Sequence, residues 1–305
     1  MRTKVFLLLF FVFCHACAFT QEVSTKNQFK TRKWILTGAS LSLWGGSYYA
    51  LHNSWYANHP STRFHLYNDW GEWQQMDKAG HVWSAYQIAD HASAMWKWAG
   101  LSSQQSSIIG SISSMAYLSI IEIMDGRSQK WGFSIPDMLA NSTGAMIYLG
   151  QELLLKEQPV RIKMSYIPYQ YGSLQNRADE LFGKSQVEKL LKDYNGQTYW
   201  ASVNIRSILP SSAFPKWLNV AVGYGAKTML GGYTNTWIDE NGNTIVRDDI
   251  LRYRKIYLSA DIDLTKIKTS NKTLKTVFSL INVLKFPAPA IEFTNQGKIN
   301  FHPLF

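Results

Sequence analysis

Asp77, His81, Ser84, Ile88 and His91 fall four, three, four and three residues apart, a spacing that places them on one face of a single helix. Ser111, Ser114, Leu118, Glu122 and Asp125 repeat the pattern, and Asp137, Asn141, Gly144 and Tyr148 repeat it again. A carboxylate beside an imidazole makes an oriented general base, and His81 with Asp77 or Asp137 fits that role. Glu122 offers a second carboxylate for proton transfer. The same histidine-and-carboxylate set suits a hard or borderline metal ion with a water left free, though nothing in the spacing says which metal. His81, Asp77, Glu122 and Asp137 are thus the candidate catalytic residues, and Lys78, Ser84, Asp125 and Asn141 the candidate binding residues. Lys78, together with Arg127, has the charge to meet a phosphate. No cofactor is identified by these residues.

Three polar stripes amid apolar neighbours are expensive to bury separately and become tolerable only if they face and satisfy one another. A network that fixes helix register and does no chemistry needs the same residues. Asp137 follows Pro136 in a first helical turn, where a carboxylate simply caps. His91 alone reads as a satisfied core or interface histidine. Both the catalytic and the structural reading stay open at this level.

The elements that must carry these residues are legible from periodicity. The pattern from Trp34 to about Leu155 is helical, with helices over about 76–99, 104–124 and 136–155. Trp34–Thr62 and Trp98–Ile121 contain no Asp, Glu, Lys or Arg and are each long enough to cross a bilayer. Ser, Gly, Asn and His are scattered through both, so they read as membrane helices packed through small residues or as helices seated against a membrane. Residues 36–50 also carry a strand-like alternation. After Pro159 the period changes to two, over 199–209, 217–229 and 253–267, with Asn241-Gly242 as a tight turn. Amphipathic helices over about 185–194 and 271–284 flank the strands. An aromatic last residue, Phe305, on a final strand resembles the ending of many outer-membrane barrels. Pro303 and a count of about five strands speak against a closed barrel. The expected fold class is α+β: an N-terminal helical bundle, membrane-embedded or membrane-apposed, followed by an antiparallel β-sheet or partial barrel.

Export is read from the first residues. Arg2 and Lys4 precede an apolar run from Val5 to Phe13, then Ala16 and Ala18 stand in an A-x-A arrangement. Residues 1–18 are therefore expected to be a signal peptide, with lipidation at Cys17 as the competing fate. Both cysteines, Cys14 and Cys17, lie in this segment, which excludes disulfides, thiol nucleophiles and Cys-ligated metals from the remainder. Charged residues make up 17%, below an ordinary soluble domain, while 12 Trp and 16 Tyr are many; the combination points to a membrane. A net charge of +10 suits anionic lipid, and no nucleic-acid motif or basic run accompanies it. No P-loop, dinucleotide fingerprint or His-Glu-x-x-His occurs. Trp83, Trp96 and Trp98 read as core or membrane interface, not as a ligand platform.

Asp77-Lys78-Ala79-Gly80-His81, Glu122-Ile123-Met124-Asp125-Gly126, and Trp131-Gly132-Phe133-Ser134 followed by Asp137 and Ala140-Asn141 together resemble the YfiM-like family of periplasmic lipoproteins, domain of unknown function 2279. An Asp-Lys-x-x-His helix, a later Glu, and Ser134, Asp137, Asn141 and Gly144 more distantly resemble the VanZ-like membrane proteins. The resemblance covers about residues 34–155, with a further piece at 192–200. It implies an envelope location and names no reaction; the lipobox of the family is missing. The sequence thus divides into a signal peptide (1–18), a helical domain (30–157) and a β-rich domain (158–305). The expected protein is exported to the cell envelope of a Gram-negative bacterium, at the outer membrane or periplasmic face. It binds or processes a lipid-linked headgroup; the alternative is a non-enzymatic structural or interaction protein of the outer membrane.

Overall fold

A computed structural model describes residues 26–305 apart from Ala57, Asn58 and Ser212. The signal peptide expected at 1–18 lies outside the described residues. Among the described residues eight α-helices and ten strands follow in order: α1 (Lys26–Leu51), β1 (Leu66–Tyr67), α2 (Met76–Trp98), α3 (Ser103–Asp125), β2 (Phe133–Ser134), α4 (Ile135–Leu154), β3 (Val160–Tyr166), α5 (Gln175–Phe182), α6 (Gln186–Lys192), β4 (Gln197–Asn204), α7 (Ile205–Ile208), β5 (Leu218–Lys227), β6 (Thr236–Ile238), β7 (Thr244–Val246), β8 (Tyr253–Ile262), α8 (Lys272–Ile281), β9 (Ala290–Thr294) and β10 (Ile299–His302). The class is α+β with helices ahead of the sheet. The chain forms two compact units: residues 26–69, Ser84–Gln158 and Asn271–Thr276 in one, and Trp70–Trp83, Pro159–Ser270 and Val277–Phe305 in the other.

In the helical unit, α3 starts at a full capping box: the Ser102 hydroxyl accepts from Gln105 N–H while the Gln105 side chain accepts from Ser102 N–H. Its buried face carries Ser107, Gly110, Ser111, Ser114, Leu118 and Glu122. Gly110 is required by close approach, since an added Cβ would stand 2.7 Å from the Ala89 carbonyl oxygen and against Ser93 Oγ. The Ser114 hydroxyl donates to the Ala85 carbonyl at 2.8 Å, and Ser93 to Ser106 at 3.0 Å. Helix α4 buries Asp137, Asn141, Gly144 and Tyr148, while Ile135, Leu139, Met146 and Leu154 stand exposed. On α3 the outer positions are Ile108, Ile112, Ile120 and Ile123. Both helices therefore turn small and polar residues inward and aliphatic ones outward, the reverse of a helix folded for water. Ser103–Asp125 is also long and apolar enough to cross a membrane. The charge-free stretch from Trp34 divides into α1 and a π-helix at His52–Tyr56, and the strand-like alternation over 36–50 yields to helix.

The other unit is built on a six-stranded antiparallel meander in the order β3-β4-β5-β8-β9-β10, with β6 and β7 as a separate hairpin whose turn places Gly242 at φ +83°. Its register aligns Ile162, Ala201, Val222, Leu258, Ile291 and Phe301 in one row across all six strands. The opposite face carries Lys163, Ser202, Asn219, Lys255, Asp261 and Glu292, all buried. Lys163 Nζ lies 2.8 Å from Asp261, whose other partners are the Ser202 hydroxyl at 2.6 Å and the Phe286 N–H at 2.9 Å. Burial pulls the Lys163 ammonium below its usual value, against the pull of Asp261. The sheet thus repeats the inversion seen on α3 and α4.

All three strands end earlier than their alternation suggested, β5 at Lys227 in place of residue 229. Asn204 ends β4 because its side chain accepts from Ser207 N–H and starts α7, and Asp263 ends β8 by capping a short 3-10 turn. Strand β10 stops at His302, before Pro303. Phe305 lies beyond it, its ring 4.5 Å from Tyr257, 5.4 Å from His302 and 5.5 Å from Trp200. The terminal aromatic packs against the polar-side residues of the sheet and not along the final strand.

Candidate functional site

The approach to α2 is strained. Trp73, Gln74 and Gln75 follow one another at φ +48°, +50° and +62°, in the left-handed region that non-glycine residues rarely adopt. Trp73 is held against Phe182 and Tyr194, with ring centroids at 5.8 and 5.6 Å, and the Tyr224 hydroxyl donates to the Gln74 carbonyl. Arg254 donates to the Gln75 side chain at 2.7 Å. Met76 enters a core with Met164, Tyr199, Ala226 and Met229. Gly80, one turn on, sits where a Cβ would be 2.9 Å from the Tyr199 hydroxyl. These contacts fix the start of α2 and with it Asp77, Lys78 and His81.

Asp77 is the centre of the group. Its Oδ1 accepts from the Tyr194 hydroxyl at 2.5 Å and lies 3.8 Å from His81 Nε2. Its Oδ2 accepts from the buried Lys78 ammonium at 2.9 Å. Burial alone would raise the Asp77 carboxyl, but His81, Lys78 and the Tyr194 hydroxyl outweigh it and hold the group at about 2. Asp77 therefore stays ionised at physiological pH, a fixed anion 3.8 Å from the imidazole one turn away. Burial and the neighbouring Asp77 charge push the Tyr199 phenol above its ordinary range. The pair His81 Nε2 and Asp77 Oδ1 could share a cation, but Lys78 already neutralises this carboxylate.

Tyr194 was not singled out by spacing. It arrives on the loop after α6, where Gly196 N–H donates to the Asp193 carbonyl at 2.9 Å. Asp193 accepts from the Tyr171 hydroxyl at 2.6 Å, and Asn195 exchanges two hydrogen bonds with the Met229 backbone, at 2.8 and 2.9 Å. The only signal in the sequence was the family-like piece over 192–200.

The remaining candidates belong to the helical unit. Glu122, Asp137 and Asn141 are 1%, 5% and 0% exposed. Ser134 caps α4: its hydroxyl accepts from Asp137 N–H at 3.0 Å and donates to Asp69 at 2.6 Å. Glu122 accepts from Ser134 N–H at 3.4 Å, so Asp69, Glu122, Ser134 and Asp137 surround one helix start. Asp125 accepts from the Tyr56 hydroxyl at 2.6 Å. Asp69 and Tyr56 carry no periodic signal, which is why the spacing missed them. Ser84 is half-buried on α2, one turn beyond His81, and the His91 Nδ1 meets the Gln87 carbonyl at 3.0 Å. The stripes expected on α3 and α4 are buried faces, as spaced.

The architecture defines an α+β protein with inverted apolar and polar faces. Residues 67–150, spanning α2, α3 and most of α4, match a family model described as predicted periplasmic lipoprotein (DUF2279). That description accords with an exported envelope protein and names no activity. No curated protein and no solved structure matches the chain.

Proposed function

We propose that the protein is a membrane-associated envelope protein of a Gram-negative bacterium, at the outer membrane or periplasmic face, that binds or processes a lipid-linked phosphate headgroup. His81, Asp77, Glu122 and Asp137 are the proposed chemical groups, and Lys78, Ser84, Asp125 and Asn141 the proposed binding groups. The observation that carries the reading is the Asp77–His81 pair. A carboxylate that accepts from the Tyr194 hydroxyl and the Lys78 ammonium stands 3.8 Å from a half-buried imidazole, the pairing that a general base or a phosphate-meeting histidine uses. Support for the membrane comes from the outward aliphatic faces of α3 and α4. The YfiM-like and VanZ-like likenesses, the domain limits 30–157 and 158–305 and the export of residues 1–18 belong to the same proposal.

Titration of the detergent-purified chain with farnesyl phosphate, with farnesol as the control, tests it. The wild type should bind the phosphate and not the alcohol, and His81→Ala should lose at least tenfold in affinity, about 1.4 kcal/mol. Equal binding by wild type and variant would remove the pair from any such role. A second reading, a structural or interaction protein of the outer membrane without catalysis, is favoured by one specific feature. The Asp69–Ser134–Asp137 arrangement, with Glu122, is what capping and fixing α4 requires.

A further inference from the structure

The outward face of the sheet ends in a basic, apolar rim. One row of this face runs from Val222 through Leu258 and Ile291 to Phe301, exposed at every step, and Val220 continues it along β5. The loop between β4 and β5 and the turn after β8 meet at one end of the strands: Asp263 N–H donates to the Trp217 carbonyl at 2.9 Å and Lys266 Nζ to Ser207 Oγ at 3.2 Å. Ile208, Leu209, Phe214 and Trp217 stand exposed there. Arg206 and Lys216 stand on the same loop segment and Lys268 on the segment after β8, and residues 205–218 and 264–270 contain no Asp or Glu.

Exposed aliphatics, a Trp and a Phe beside cations, on two segments whose own sequence carries no carboxylate, make the pattern of a surface that sits at a headgroup layer. Water gives no reason to expose this face while Lys163, Asp261, Lys255 and Glu292 are buried behind it. A protein partner would not require the cations to be this one-sided. We propose that this face rests on an anionic phospholipid bilayer, with the β5–β8–β9–β10 side chains toward the acyl chains and the basic rim on lipid phosphates. The inference is independent of the headgroup reading at Asp77 and His81.

The test uses the full chain with Cys14 and Cys17 replaced by serine, since the described residues contain no cysteine. Single cysteines, Val222→Cys, Phe214→Cys and, at the β6–β7 turn, Asn241→Cys, are labelled with an environment-sensitive fluorophore. The labelled chain is reconstituted with vesicles of phosphatidylcholine alone or mixed with phosphatidylglycerol, both carrying nitroxide-labelled lipid. Quenching is expected at Val222 and Phe214 and not at Asn241, and more with phosphatidylglycerol. Reversing two charges, K216E with K268E, should weaken binding to the mixed vesicles at low salt by tenfold or more. Three outcomes would overturn the proposal: a Val222 label shielded from water yet unquenched, as a second copy of the chain would produce; equal quenching at Asn241; or no gain from phosphatidylglycerol.

Discussion

Replacing Asp77 by asparagine keeps the shape of the side chain and an oxygen for the Tyr194 hydroxyl but removes the charge that Lys78 and His81 share. The carboxyl sits at about 2 in place of 3.8, a difference equivalent to about 2 kcal/mol of native-state stabilisation. Because the folded-state value is the lower one, this contribution is complete above the ordinary carboxylate range and is lost as pH falls through about 2. The asparagine variant lacks it at every pH. Urea unfolding of both proteins in detergent should therefore show a gap of about 2 kcal/mol at pH 7 that narrows between pH 4 and pH 2. Part of the gap reflects Lys78, which is left buried without its carboxylate in the variant and, at low pH, in the wild type as well. Hydrogen exchange over residues 76–83 localises the effect to the first turns of α2. A gap that is the same at pH 7 and pH 2 would refute the reasoning, because it would show that the charge of Asp77 stabilises nothing.

Other consequences are equally direct. Tyr194→Phe removes a hydrogen bond to a charged acceptor and should cost about 1.5–3 kcal/mol in the same unfolding assay, less when combined with Asp77→Asn. Gly110→Ala brings a methyl group against the Ala89 carbonyl and Ser93 and should destabilise the helical unit by about 1–3 kcal/mol, read as a lower melting temperature. Lys163→Met leaves Asp261 buried without its cation and should cost about 3–5 kcal/mol, whereas adding Asp261→Leu should recover much of the loss, both measured by urea midpoints.

The sequence disclosed the parts whose cause is local. Ser111, Ser114, Leu118 and Glu122 share a buried face because helical spacing leaves no alternative, and Asn141 and Tyr148 follow for the same reason. The change of period after Pro159 announced the sheet, although strand ends set by side-chain caps at Asn204 and Asp263 were overrun by the alternation. What was illegible is tertiary. Nothing local links Tyr194 to Asp77, 117 positions earlier, or Ser134 to Asp69. Phe305 reads as the end of a strand, and only the packing of Trp200 and Tyr257 reveals that it folds back. The outward direction of the apolar faces was also hidden, since a hydrophobic period specifies a face and not the medium it meets.

The central claim is that His81, oriented by Asp77, meets a phosphate and is not a structural spacer. The direct measurement sets the unfolding temperature of detergent-purified wild type and His81→Ala beside their affinity for farnesyl phosphate. The account predicts an affinity loss of at least tenfold with a fall in unfolding temperature smaller than that of Asp77→Asn, because Lys78 and the Tyr194 hydroxyl still hold the carboxylate when the imidazole is gone. A clear drop in unfolding temperature with phosphate binding intact would contradict it and assign the pair to the architecture alone.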